Sequence, residues 1–235
     1  MNSLTSIFGK LKLKGNQIDE SKIILIQKTW RGYQERKKYN SDFFPLLINL
    51  LKREEELLTN SFINIMKVCQ KFPPAKNENK FVYGKLIERI IIEMINTKIR
   101  CHDLDKTHES GSEYKNDCYI PVGRKKFSIK ASKSGGNITI INKRTRDDHS
   151  IYGINFVICH LKEKKIFMFT HQKNLDSFVK EDGAAIHYKG TIFKILKERG
   201  NFISFPENQK TSNFIEHELP KIKSINIYDV LWNLI

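Results

Sequence analysis

The apolar positions of this chain change period about midway. From Asp19 to about Tyr39, Ile26, Trp30 and Tyr33 recur at helical spacing, with Asp19 and Ser21 as N-terminal caps. A second helical stripe starts at Ser41-Asp42 with Pro45 in its first turn and runs through Leu46–Leu51, Leu57, Phe62, Ile65, Met66 and Cys69 to Pro73-Pro74. A third is predicted from Phe81 to Ile99 on Leu86, Ile87, Ile90, Ile91 and Met94, with Ala75–Lys80 as the loop before it. The period then becomes two. Strands are predicted at Cys118–Val122, Lys126–Ala131, Ile138–Asn142, Ile151–Leu161 and Lys165–Thr170, with a short helix at Leu175–Val179. Tyr188–Leu196 and Asn201–Phe205 read as strands or a strand and turn, Pro206–Glu218 as a polar loop, and Ile222–Ile235 as a closing apolar segment. Helices first and strands afterwards imply an α+β or mixed α/β fold. We divide the chain into a leader with a helix, 1–40, and a main domain, 41–235.

Within the strand-rich part, Gly123-Arg124 reads as a two-residue hairpin turn. Such a turn would set Asp117 directly across the ladder from Lys130. Asp117, Tyr119, Ser128 and Lys130 would share one face, and Ile120, Phe127 and Ile129 the other. A carboxylate beside a lysine on rigid strands is one way to hold a divalent cation and to orient an attacking water. The same pair could also be a plain cross-strand ion pair.

Charge narrows the partners. Lys+Arg 41 against Asp+Glu 26 gives a net charge of +15, which points to nucleic acid first, then to an acidic protein or an anionic membrane surface. Nine basic residues and one acid lie between Lys115 and Arg146. Lys133, Lys143, Arg144 and Arg146 are the candidates for phosphate contacts, with Ser132, Ser134 and Asn137 as neutral donors. Gly135-Gly136 would let main-chain N–H groups approach a phosphate. The four cysteines, Cys69, Cys101, Cys118 and Cys159, show no paired spacing, as expected of a reducing intracellular setting. No apolar run reaches membrane-spanning length, so we expect a soluble protein with no membrane partner.

Residues Ile26, Gln27, Trp30, Arg31, Gly32, Arg36 and Tyr39 carry a specific resemblance. The run IQKTWRGYQERKKY resembles the IQ motif, which binds calmodulin and related EF-hand proteins. Six basic side chains against one acid from Lys22 to Lys38 suit the acidic rim of an EF-hand lobe. The resemblance implies that Gln27 bonds main-chain atoms of the lobe, that Arg31 reaches its carboxylates, and that Gly32 allows close approach. The alternative is a helix docked on its own domain, with Trp30 in the core.

A second resemblance spans Gly84 to Phe169. The run from Phe127 through Lys130 to Lys143, preceded by Asp117 and by the Gly84-Lys-Leu-Ile-Glu88 helix, is similar to type II restriction endonucleases of the PD-(D/E)XK superfamily. It implies a central mixed sheet flanked by helices, DNA as substrate, Mg²⁺ as cofactor, Asp117 as metal-holding acid and Lys130 as catalytic lysine. Glu88 would supply a further carboxylate. Ser128 stands where that family has Asp or Glu, which leaves two readings: an Mg²⁺-dependent DNA endonuclease, or an inactive nuclease-fold protein that binds DNA or calmodulin. Enzymes that cut palindromes are often homodimers, but no dimer surface is legible here. Joining the two resemblances implies a viral or bacterial protein acting in a eukaryotic cell.

Overall fold

The computed structural model describes residues 43–73, 77–103, 117–121, 125–142 and 150–225. The chain divides into units Met1–Asp42 and Phe43–Ile235, and every described residue belongs to the second. The predicted IQ helix, the turn at Gly123-Arg124 and the basic residues Lys143, Arg144 and Arg146 lie outside the described residues.

The long second helix of the sequence reading is broken in two. Helix α1 covers residues 43–52 and α2 covers Glu55–Lys71, with Arg53 and Glu54 between them. The break is a turn in which the Glu54 N–H donates to Leu51 O at 3.0 Å. Helix α3 runs over Asn77–Asn96, so it begins four residues earlier than predicted and takes in part of the expected loop. Its Ile87, Ile91, Ile92, Met94 and Ile95 are buried.

The strands form two sheets. The larger contains β1 (His102–Asp103), β2 (Cys118–Ile120), β3 (Lys125–Ser132), β5 (Asn155–His160), β6 (Lys165–Thr170) and β9 (Phe202–Ser204), in the order β1-β2-β3-β5-β6-β9. Strands β3 and β5 are parallel and the other neighbours antiparallel, giving a mixed α+β fold with a six-stranded mixed sheet. Strand β5 is buried at every position, as a central strand covered on both faces must be, and its sequence reads NFVICH without alternation for that reason. The smaller sheet has β4 (Ile138–Asn142), β7 (Val179–Glu181) and β8 (Ala185–Tyr188), in the order β4-β8-β7.

Two apolar layers hold the large sheet. On one side, Phe43 and Phe44 of α1 set their rings 5.8 and 5.5 Å from Phe127 of β3, and Phe62 of α2 lies 5.0 Å from Phe205 beyond β9. A second cluster joins Phe156, Ile158, Phe167 and Phe169 of β5 and β6 to Ile138, Ile186 and Tyr188 of the small sheet. His171, just past β6, has its Nδ1 2.7 Å from Tyr188 Oη, a polar link between the sheets inside that apolar contact.

Several predicted elements change. The strand expected at Ile151–Leu161 begins only at Asn155, because residues 152–153 turn the chain, with Gly153 at φ +75°. Part of the expected strand Tyr188–Leu196 is a helix, α4, over Ile192–Glu198. Ile192, Phe193 and Leu196 are its buried residues, a helical spacing rather than an alternating one. The expected loop Pro206–Glu218 contains helix α5, Gln209–Asn213, started by a reciprocal capping box in which the Asn208 side chain accepts from Thr211 N and the Thr211 side chain from Asn208 N. The short helix near Leu175 is a 3-10 helix over Lys173–Phe178. Among the described residues, no helix is long and apolar enough to cross a membrane.

Candidate functional site

Asp117 immediately precedes β2 and is held in place by β3. Its backbone N–H donates to Phe127 O at 2.6 Å. Its carboxylate Oδ2 accepts from the Ile129 backbone N–H and from Ser128 Oγ at 3.4 Å. Lys130 Nζ approaches the same oxygen at 3.6 Å. Asp117 and Ser128 are buried, while Lys130 keeps a quarter of its side chain exposed. The three contacts converge on Oδ2, which orients the carboxylate about an anchored oxygen.

This geometry corrects the predicted register. Strands β2 and β3 pair Cys118 with Phe127, Tyr119 with Lys126 and Ile120 with Lys125, so the ladder carries Asp117 opposite Ser128 rather than Lys130. The loop is longer than a two-residue turn, because β2 ends at Ile120, ahead of Pro121, which has no N–H to continue a ladder. The slip is two residues. Parity is therefore kept, and Asp117, Ser128 and Lys130 still share a face while Phe127 and Ile129 take the other. Lys130 reaches Asp117 along the diagonal.

Glu88 enters from α3, which packs against β3 and β1. It is buried, and Lys85 Nζ lies 3.2 and 3.3 Å from its two oxygens. The neighbourhood shared by Glu88 and Asp117 is Cys118. That thiol is pushed far above its ordinary value, first by its hydrogen bond with the Cys101 side chain, then by burial, and then by the nearby negative charges of Cys101, Asp117 and Glu88. The upward shift favours the protonated thiol at Cys118.

Sequence reasoning missed Lys85 and the Cys101–Cys118 contact. The signal for Lys85 was present, since a lysine three residues before Glu88 on a helix falls within pairing reach. Cys101 and Cys118 are seventeen positions apart, and only the pairing of β1 with β2 brings them together.

The predicted phosphate-binding group fares unevenly. Lys133, Ser134 and Asn137 are exposed on the turn between β3 and β4. Ser132 is buried, and its hydroxyl accepts from Gly135 N at 3.3 Å. Its role is therefore to close the turn, and the Gly135 N–H is already used. Glycine at 135 has a packing reason instead: φ is +74°, and a Cβ there would stand 2.7 Å from His160 Nε2.

Asp117, Glu88 and Ser128 offer hard oxygen atoms, the donor class that suits Mg²⁺ rather than zinc or copper. Among the described residues, no group of three or more His, Cys, Asp or Glu side chains converges as a cage for a metal. The arrangement is two carboxylates, each beside a lysine, with Ser128 donating to one of them.

Comparison with known proteins bears first on the N-terminal unit. Residues 20–40 match the IQ calmodulin-binding motif family. The match contains all seven predicted contact residues, Ile26, Gln27, Trp30, Arg31, Gly32, Arg36 and Tyr39, and it supports a calmodulin-type partner. No curated protein matches the chain. One solved structure, described as a restriction endonuclease in complex with substrate DNA, overlaps 84% of this chain and 97% of its own length, at 12% identity and a TM-score of 0.44. That overlap is too loose to fix the fold.

Proposed function

We propose that residues 41–235 form a restriction endonuclease-like domain that cleaves DNA with Mg²⁺. The observation that carries the reading is the convergence of Ser128, Ile129 N–H and Lys130 on Asp117 Oδ2, in a strongly basic chain. Asp117 and Glu88 would hold the cation. Two carboxylates suffice in kind, because Mg²⁺ keeps several of its own waters and commonly takes only one or two protein acids. When bound, the ion supplies Lewis-acid stabilisation of charge on the phosphodiester oxygens.

The chain's own residues do the rest. The anchored Oδ2 keeps the Asp117 carboxylate from swinging, so its charge meets the substrate without reorganisation. Lys130, partly exposed, would hydrogen-bond the attacking water and offset developing negative charge. Ser128 adds no charge. It donates to Asp117 and leaves the site one carboxylate short of the related enzymes. Lys133 on the neighbouring turn, and Lys143, Arg144 and Arg146 in sequence beyond β4, would meet the backbone phosphates.

Incubating supercoiled plasmid with the full chain tests this. Wild-type protein with Mg²⁺ should nick or linearise the plasmid, chelation should stop it, and Lys130→Ala should slow it by about 100-fold, the effect of losing one preorganised electrostatic group. Cleavage that survives both chelation and Lys130→Ala overturns the assignment.

Ser128→Asp probes the cation without relying on activity. It would place a second buried carboxylate beside Asp117, where like charges and desolvation oppose folding. We expect a lowered melting temperature that Mg²⁺ restores by several degrees more than in wild type, roughly the response to binding linked with folding. A melting temperature insensitive to Mg²⁺ would remove Asp117 and position 128 from the cation site.

The match at residues 20–40 favours a second activity, which accompanies the first or replaces it if cleavage is absent. The chain binds calmodulin or a related EF-hand protein through its IQ segment. Capture on immobilised calmodulin, with and without Ca²⁺, should be lost by an Ile26→Ala/Gln27→Ala/Arg31→Ala variant.

A further inference from the structure

Only three large hydrophobic side chains are exposed among the described residues: Leu46, Leu50 and Tyr152. Tyr152 has a polar reason to face outward, since its hydroxyl donates to Asp176 Oδ2 at 2.7 Å. Leu46 and Leu50 have none. They stand 45% and 43% exposed, one turn apart on α1. The opposite face of the same helix, Phe43, Leu47, Ile48 and Leu51, is buried in the domain. Helix α1 is thus apolar on both sides, and its outer side is unpartnered among the described residues.

We infer that Leu46 and Leu50 are the docking face for the second lobe of the same calmodulin-type partner that the IQ segment binds. The inference rests on the IQ reading above and extends it into the folded domain. Two observations favour this occupant. The IQ match ends at residue 40 and Leu46 follows six positions later, a reach of at most roughly 20 Å of extended chain. Leucines at i and i+4 are the anchor pattern that an EF-hand groove accepts from a helix.

The test uses the full chain and purified calmodulin, measuring affinity by titration calorimetry in Ca²⁺ and in chelator. A Leu46→Ser/Leu50→Ser variant should stay folded, with a single cooperative thermal transition, because neither side chain is fully buried. It should bind about tenfold more weakly in at least one condition, the loss expected for two half-buried leucines. Hydrogen exchange on wild-type protein should show calmodulin protecting residues 43–52. If affinity changes by less than about twofold and residues 43–52 gain no protection, while the IQ triple variant still abolishes binding, the second-lobe inference falls and the IQ reading stands. If wild type does not bind, or the IQ triple variant binds normally, the IQ reading itself falls, and this inference with it. Should the leucine variant instead convert a dimer to a monomer in sedimentation velocity with calmodulin affinity unchanged, the face belongs to a second copy of this chain, and the inference is overturned.

Discussion

If the chain cleaves DNA as proposed, Asp117→Asn is expected to lower plasmid cleavage by about 100-fold or more while leaving the fold nearly intact, and Asp117→Ala to do both kinds of damage. The difference between the two variants follows from what Oδ2 does. It accepts from the Ile129 N–H and from Ser128 Oγ, and an asparagine carbonyl can still accept both. The charge beside Lys130 is gone, however, and with it the anionic group that would hold a cation. Alanine removes the acceptor as well. The Ile129 N–H is then buried without a partner, at a cost of about 1–3 kcal/mol. Denaturant titration of both variants, run beside the plasmid assay, separates the two effects. Equal cleavage by wild type and Asp117→Asn would make Asp117 a structural cap between β2 and β3 and nothing more.

The largest loss of stability is expected at Phe127. Its side chain is fully buried, and two rings from α1 pack on it. Phe127→Ala deletes that ring and leaves a cavity beneath Phe43 and Phe44 of α1. The expected cost is about 3–5 kcal/mol, the usual range for a buried phenylalanine. It should appear as a lower denaturation midpoint with an unchanged slope. Because Phe127 and Ser128 are adjacent and point to opposite faces, the variant also tests the assigned faces. A loss below about 1 kcal/mol is the signature of an exposed side chain, and would take Phe127 out of the packed layer beneath α1.

Phe127 also marks what could be read from the chain alone. Alternation along Lys126–Ala131 assigns Phe127 and Ile129 to one face and Ser128 and Lys130 to the other, whatever the register. The slip of the β2–β3 ladder from its predicted pairing did not disturb this, because a shift by an even number preserves parity. The exact partner of Asp117 was not readable, since it depends on how many residues the loop spends between Ile120 and Lys125. A local signal was available in Pro121, but Gly123-Arg124 is the stronger turn pattern and it misled. The helix at Ile192–Glu198 was missed for a different cause. A seven-residue apolar segment spans too few turns for period 3.6 to stand out from period two.

The sequence by itself determined the order of helices before strands, the charge, the faces of the central hairpin and the IQ motif, because each depends on spacing within one short window. The candidate site needed more. That Glu88 shares a neighbourhood with Asp117, that Lys85 pairs with Glu88, that Ser132 closes a turn, and that Leu46 and Leu50 face outward were decided only by the tertiary structure. Those facts depend on which face of a helix meets which strand, and that choice is made by packing between residues far apart in the chain. Asp117 is the clearest case. Its place beside a lysine was legible from the alternation of side chains, but the oxygen that anchors it, and what anchors that oxygen, came from the way β3 lies against β2.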